Sequence, residues 1–423
     1  MWLLVVVVCF LVWAVGTYWY LFGKPSPFSV ESVRPPGPLE LDQKKRHKIL
    51  KQGFRKEKVP ENLDAIVIGS GIGGMTAAAT LAKLGKRVLV LEQHDQAGGC
   101  CHTFTEKGFE FDIGLHYIGQ LHENSLFKIV MDQITEGQVQ FVELDKHFDT
   151  IVIGTGEKSR KYTIYSGKTE MEEHLKEQFP DDTKAVEEFF KIMKMSARKT
   201  HLLAALKLIP QWVALFLLKS GIANLYSSIF RLVGTNATAV ADSLTSNKDL
   251  HIIFYYLFYG KSCMTILTVV NYEWFEEWKD TPVRKRGDDY LAYKMRFANN
   301  LFDWACSQYP KLRDKLVYQE VSTPLSNTHY LGRYLGAMYS AEHNLERFQA
   351  EAIARNRCDT PVKNLFISGQ DVFSCGIAGA LHGGLLCAST VLKHIVYIDL
   401  LMLKKKLKKK KARETAEQVK KLL

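Results

Sequence analysis

The sequence predicts an α/β fold, built on a parallel βαβ unit, joined to a reduced and largely helical region and preceded by an apolar segment. Three observations carry that prediction. Residues 64–93, "DAIVIGSGIGGMTAAATLAKLGKRVLVLEQ", run through a strand, a glycine turn, a small-residue helix and a second strand. Residues 166–360 are dominated by helix-forming stretches, and residues 1–23 carry no charged side chain.

The first element is residues 1–23. About twenty apolar residues match the hydrocarbon thickness of a bilayer, so the segment is a transmembrane anchor or a signal. Ala14-Val15-Gly16 resembles a small-x-small cleavage site, yet no Lys or Arg precedes the apolar run, which continues past that point. Trp13, Tyr18, Trp19 and Tyr20 suit a membrane interface and favour retention. Residues 24–62 follow as a linker, first proline-rich and then basic.

The formal charge of +11 is unevenly placed. Residues 44–58 carry eight Lys or Arg against one acid, and the tail, residues 401–423, carries ten against two. The rest of the chain is slightly acidic, so the basic segments suit anionic headgroups and membrane lipids rather than a nucleic acid, for which no recognition motif exists. Eight cysteines are scattered without metal-ligand spacing, so no metal site is expected.

In the βαβ unit, "DAIVIG" is the continuous apolar run of a strand covered on both faces. Gly69-x-Gly71-x-x-Gly74 then supplies a tight bend, an approach for a pyrophosphate to backbone N–H groups, and close packing of helix on strand. The helix N-terminus offers unpaired donors to the phosphates. Glu92 lies where a carboxylate accepts the ribose hydroxyls, which disfavours a 2′-phosphate and leaves FAD or NAD. The candidate binding residues here are Gly69, Ser70, Gly71, Gly73, Gly74, Glu92 and Gln93. Residues 149–165, "DTIVIGTGEKSRKYTIY", begin similarly but lack the third glycine, which predicts a hairpin instead.

Two further segments resemble the flavin-dependent amine oxidase and phytoene desaturase superfamily. "QAGGCCHTFTEKGFEFDIGLHYIG" resembles the loop that lines the flavin there, which implies FAD contacts for Gly98, Gly99, Cys100, Thr103, Asp112 and Gly114. Cys100 stands where the superfamily often has Arg, which removes one phosphate contact. "VKNLFISGQDVFSCGIAGALHGGLLCAST" predicts a strand over Leu365–Ser368, a turn and an apolar helix. The resemblance places Gly369, Asp371, Gly376, Ile377 and Gly379 at the same cofactor. Residues 63–165 and 361–400 are thus expected to be the two parts of one FAD-binding domain, with 166–360 a shortened substrate region.

"GGCCHTF", "NYEWFEEW", "STPLSN" and "NLFISGQDVFSCGIAGALHGGLLC" are together similar to the all-trans-retinol 13,14-reductase branch of the carotenoid isomerase-like flavoproteins. That resemblance implies an endoplasmic-reticulum membrane flavoenzyme that saturates the 13–14 double bond of retinol or a related polyene lipid, with NAD or NADP as ultimate reductant. Members of that branch are longer. Here "IIFYYLFYGKSCMTILTVVNYEWFEEW" crosses a large segment in about a dozen residues, which reads as an internal deletion.

Saturating one double bond of a polyene that has no carbonyl beside it needs a hydride at one carbon and a proton at its neighbour. His116, Tyr117 and His382 lie in the flavin-lining motifs and are the candidate proton donors, with packing roles and donation by water as the competing readings. A catalytically impaired membrane-bound remnant, and another flavin-dependent polyene desaturase or isomerase, are the alternative functions. Residues 202–233, apolar but broken by Lys207, Pro210 and Lys219, read first as a buried helix pair and second as a surface entering one leaflet.

Overall fold

The structure is a computed structural model that describes residues 2–115, 118–154, 158–259, 266, 268–283, 285–316, 318–337, 339 and 341–422. Its strands are β1 (Ala65–Ile68), β2 (Val88–Leu91), β3 (Thr103–Glu106), β4 (Phe109–Asp112), β5 (His147–Ile153) and β6 (Arg160–Tyr165). The helices begin with α1 (Trp2–Phe22), α2 (Gln43–Leu50), α3 (Ile72–Ala82), α4 (Leu126–Thr135), α5 (Lys168–Gln178) and α6 (Thr183–Lys199). They continue with α7 (His201–Leu208), α8 (Gln211–Lys219), α9 (Ile222–Tyr226), α10 (Ile229–Leu232), α11 (Ala237–Leu244) and α12 (Lys248–Tyr259). The last six are α13 (Gly287–Gln308), α14 (Pro324–Leu331), α15 (Leu345–Phe348), α16 (Ala350–Arg355), α17 (Gly376–Leu392) and α18 (Val396–Leu422).

The chain forms two compact units, one of residues 1–143, 196–234 and 343–423, the other of residues 144–195 and 235–342. In the first, β1 and β2 pair in parallel with Ala65 opposite Val88 and Ile68 opposite Leu91. α3 connects them, as the alanine-rich pattern predicts, and its chain reverses at Gly85, whose φ of +75° needs no Cβ. α4 starts at Ser125, whose hydroxyl accepts the Lys128 N–H, and turns Phe127, Val130 and Met131 inward. These residues meet Leu381 and Leu385 of α17 and Val396, Leu400 and Leu403 of α18 in one core.

Two features of this unit differ from a complete Rossmann-like sheet. Ile66 and Ile68 of β1 are 56% and 85% exposed, whereas a parallel strand is normally covered on both faces. The strand expected over Leu365–Ser368 is replaced by an extended segment with a single bridge, Asp359 to Phe366. Its backbone is satisfied from upstream instead: Ile367 N–H donates to the Cys358 carbonyl, and Thr360 Oγ1 donates to that of Leu365. A segment supplied this way has no need of a sheet neighbour.

Residues 202–233 fold into α7 to α10. Lys207, in α7, is buried and donates to the carbonyls of Ile353 (2.8 Å) and Asn356, and burial pushes its pKa down to about 8. Pro210 caps the start of α8. α8 and α9 bury Ala214, Leu218 and Ala223 but expose Trp212, Phe216, Leu225 and Tyr226.

In the second unit β5 and β6 form the antiparallel hairpin that the missing third glycine predicts. The compact units part at residues 143 and 144, upstream of the boundary expected at 165. The hairpin packs with α5, α6 and α12, where Phe189 stacks on Phe254 at 3.9 Å with the rings 8° from parallel. Asp249 takes both Arg160 Nε and Nη2, at 2.5 and 2.8 Å. α14 opens on Pro324 with a reciprocal cap between Thr323 and Ser326.

Among the described residues no single helix is long and apolar enough to cross a membrane; Val5–Trp19 of α1 is a shorter apolar helix. α17 and α18, as far as Lys420, form a bent pair that passes by length and composition, but α17 is largely buried in the core.

Candidate dinucleotide site

The glycines of the two sequence motifs do two separate jobs. A Cβ on Gly73 would lie 2.5 Å from Gly369 Cα, one on Gly383 2.0 Å from the Gly369 carbonyl oxygen, and one on Gly384 2.5 Å from the Gly73 carbonyl oxygen. These glycines let α3 and α17 pack backbone against backbone. A Cβ on Gly74 would strike the Gly69 carbonyl oxygen at 2.1 Å, and one on Gly379 the Ser374 carbonyl oxygen at 1.9 Å. By contrast Gly69, Gly71, Gly369 and Gly376 face open space, and Gly69 and Gly376 hold φ near +100° and +75°. Gly71 is the N-cap of α3, and Cys375 the N-cap of α17, so two helix N-termini open beside these glycines. This is the cradle a pyrophosphate requires: bare backbone, unpaired N–H groups and no side chain in the way.

The two elements are joined directly. Ser368 Oγ donates to the Gly73 carbonyl at 3.1 Å, across 295 positions of sequence. Behind Gly71, Gly99 approaches so closely that its Cβ would sit 3.0 Å from Gly71 Cα, and Gly98 N–H donates to Ser70 Oγ at 2.9 Å. Gly114 lies against Cys100, and Thr103 is paired with Asp112 across the β3–β4 hairpin. Ile377 is half-buried against the α4 core, and Gln93 is exposed.

Glu92 sits at the end of β2. Burial pushes its pKa up, but hydrogen bonds outweigh that and hold it at about 2. Ser70 N–H and Oγ donate to Oε2 at 2.9 and 2.5 Å, and His94 N–H donates to Oε1 at 3.1 Å while its Nδ1 lies 2.8 Å away. A carboxylate offers about four lone-pair sites, so a sugar hydroxyl takes its place there by displacing Ser70 Oγ or the His94 ring. The chemistry of the donor set fits a nucleotide: an ionised acceptor one strand over from an open backbone cradle.

The geometry also names residues that no spacing rule reaches. Arg347 Nη2 donates to the carbonyls of Gln370 (3.2 Å) and Asp371 (2.6 Å), and Asn356 Nδ2 donates to the Asp371 carbonyl at 2.7 Å. Arg357 donates to the carbonyls of Lys207 and Ile209, both at 2.9 Å. Arg347 and Asn356 therefore fix the backbone at Asp371. The sequence offers only the polar run Arg355-Asn356-Arg357 as a hint of Asn356 and nothing that marks Arg347.

Of the candidate proton donors, His116 and Tyr117 lie outside the described residues. His382 is half-buried against Tyr397, whose ring it stacks on at 5.7 Å and whose hydroxyl lies 2.9 Å from His382 Nδ1. Burial pushes its pKa down to about 4, so at neutral pH the ring is uncharged and holds no acidic proton to give. His382 ties α17 to α18 through Tyr397, a geometry that suits the packing role weighed for it against proton donation.

Fold and site together define a Rossmann-like dinucleotide-binding protein with a largely helical remainder. Residues 67–134 match the NAD(P)-binding Rossmann-like domain family. Over 98% of its length the chain is 38% identical to a protein from Danio rerio named inactive all-trans-retinol 13,14-reductase, 99% of which is covered. It is 30% identical to the all-trans-retinol 13,14-reductase of Danio rerio over 96% of this chain and 98% of that protein, and 29% identical to the human one over 92% and 95%. The chain belongs to the all-trans-retinol 13,14-reductase family. The alignment to the first of these relatives spans 602 positions against a chain of 423, so those relatives carry residues with no counterpart here. A shorter match, 54% identical over 59 residues, is to prolycopene isomerase 1 of an Oncidium hybrid.

Proposed function

We propose that the chain is an FAD-dependent oxidoreductase of retinoid metabolism, saturating the 13–14 double bond of all-trans-retinol to 13,14-dihydroretinol, with NAD or NADP as ultimate reductant. The observation that carries this reading is the Ser368–Gly73 hydrogen bond, which closes two motifs far apart in sequence into one nucleotide cradle. The activity named for the full-length relatives supports the choice of substrate.

Gly69, Gly71 and the N-terminus of α3 would receive the diphosphate, Glu92 the adenosine ribose, and Asp371 with the N-terminus of α17 the flavin side. When bound and reduced, FAD supplies the hydride for one carbon of the double bond. Proton delivery falls to His116, Tyr117 or water, because His382 is kept neutral. α1, charge-free from end to end, anchors the chain in the endoplasmic-reticulum membrane, where an apolar polyene substrate dissolves.

The test is a visible spectrum of the full chain purified in detergent, followed by anaerobic mixing of the reduced protein with all-trans-retinol. A flavin band, reoxidation by retinol and a product heavier by two hydrogens are expected. A colourless protein that takes up no added FAD overturns the proposal.

A second reading is a flavin-binding remnant without turnover, favoured by the open face of β1 at Ile66 and Ile68 and by the residues missing relative to its homologues. A yellow protein whose reduced flavin is indifferent to retinol establishes it. Reduction of the oxidised flavin by a carotenoid points instead to a polyene desaturase, and carotenoid isomerisation on the reduced flavin without its reoxidation to an isomerase.

A further inference from the structure

α18 is held by its first three turns and bare beyond them. Val396, Leu400 and Leu403 are buried in the α4 core and Leu407 packs beside them, which fixes the helix axis. Lys404–Arg413 then carries eight cations in ten residues, over roughly 15 Å of helix. The acids near this band among the described residues are few: Glu123 pairs with Lys411, Glu414 lies 3.9 Å from Lys410, and Glu31 is within electrostatic reach of Lys406 and Lys410. Positive charge remains in large excess.

The base of this helix is tied to the end of α1. Lys24, the first charged residue after α1, donates to the carbonyls of Leu392 (3.2 Å), the last residue of α17, and of Lys393 (2.6 Å), its C-cap. At that corner the chain turns by 115° into α18, and a buried pair, His394 Nε2 with Asp399 Oδ2 at 2.5 Å, holds the turn. The charged exit of the apolar helix and the root of the cationic one are therefore a single fixed point.

We infer that α18 is a rigid polybasic arm that lies on the anionic lipid headgroups of the membrane into which α1 inserts. The inference rests on the α1 anchor proposed above. The cations surround the helix, with no apolar stripe between Lys404 and Arg413 to enter the acyl region, so the contact is electrostatic and at the surface. A single-stranded nucleic acid would look for aromatic side chains to stack on, and residues 404–423 contain none.

The test places the full chain in vesicles of phosphatidylcholine alone or with 30% phosphatidylserine, and follows proteinase K cleavage within residues 404–415 by mass spectrometry. Cleavage is expected to be about ten-fold slower on the anionic vesicles. The protection should vanish at high salt, where the Debye length falls to about 3 Å. It should also vanish when Lys405, Lys408, Lys409 and Lys410 are all replaced by Gln. Equal rates on both vesicles overturn the inference, as does protection that survives high salt. Stronger protection by an RNA oligonucleotide on neutral vesicles overturns it in favour of nucleic acid. Flotation of the chain with anionic but not neutral vesicles removes the α1 anchor while supporting the α18 contact, and none of these readouts depends on flavin.

Discussion

Ser368 Oγ donates to the carbonyl of Gly73, and through that bond the extended segment before α17 is stitched to the first turn of α3. The bond exists only because Gly73, Gly383 and Gly384 let the two helices close to backbone contact. Packing glycines and cradle glycines therefore respond differently to the same change.

Gly384→Ala is expected to destabilise the fold by about 1–3 kcal/mol, since its Cβ meets the Gly73 carbonyl and the side chain of Thr76. Gly71→Ala faces open space and is expected to leave stability within about 0.5 kcal/mol of the parent. It should instead weaken flavin binding about ten-fold or more by crowding the phosphate, a loss near 1.4 kcal/mol. Thermal melts with and without FAD separate the two.

Glu92 is held at about 2, below the ordinary carboxylate value of 4.5. A lowered folded pKa means its contribution to stability is present above pH 4.5 and fades as pH falls towards 2. The stability gap between the parent and Glu92→Gln should therefore be constant near neutrality and close across that window. Partial exposure keeps the gap modest and sensitive to salt. Urea melts from pH 7 to pH 2 check it.

His382 is also shifted down, to about 4 from 6.5, which for a base disfavours the charged form. The folded state favours the neutral ring, so its stabilisation is complete above pH 6.5 and is lost as pH falls to about 4. His382→Phe should flatten the loss of stability between those values. In an active protein it should leave the acid-donor limb of the pH–rate profile unmoved.

Arg347→Gln removes a charged hydrogen bond from the backbone of Gln370 and Asp371 and is expected to raise the dissociation constant of FAD about ten-fold, in line with 1–3 kcal/mol for such a bond. Arg347→Lys should recover part of it. Flavin fluorescence titration reads both, and equal affinities in parent and Arg347→Gln would remove the positioning role.

Ile68 is central in sequence and bare in structure. With that face uncovered, Ile68→Lys should cost less than about 0.5 kcal/mol and reduce aggregation in dilute detergent. A cost of several kcal/mol would show the face to be covered in solution.

The βαβ unit was legible because its chemistry is local. Gly69, Gly71 and Gly74 bend, open and pack within six residues, and Glu92 follows one strand later, so spacing alone points to a nucleotide. The hairpin at β5 and β6 was equally legible, from the glycine that residues 149–165 lack. Other features depend on distant parts of the chain. Whether Leu365–Ser368 pairs as a strand depends on a sheet neighbour elsewhere, and Thr360 and Cys358 satisfy it instead. Arg347 and Asn356 act on Asp371 through folded loops, and Lys207, which reads as an interruption of an apolar helix, becomes a buried tie because two carbonyls happen to face it.

The sequence by itself determined the nucleotide turn, the carboxylate beside it and the uneven placement of charge, because each is written in neighbouring residues whose backbone or side-chain chemistry is intrinsic. Only the tertiary structure decided which glycines pack and which face open space, that Ser368 meets Gly73, and that Lys24 meets the root of α18. Those are properties of close approach between segments hundreds of residues apart, and no local pattern encodes them.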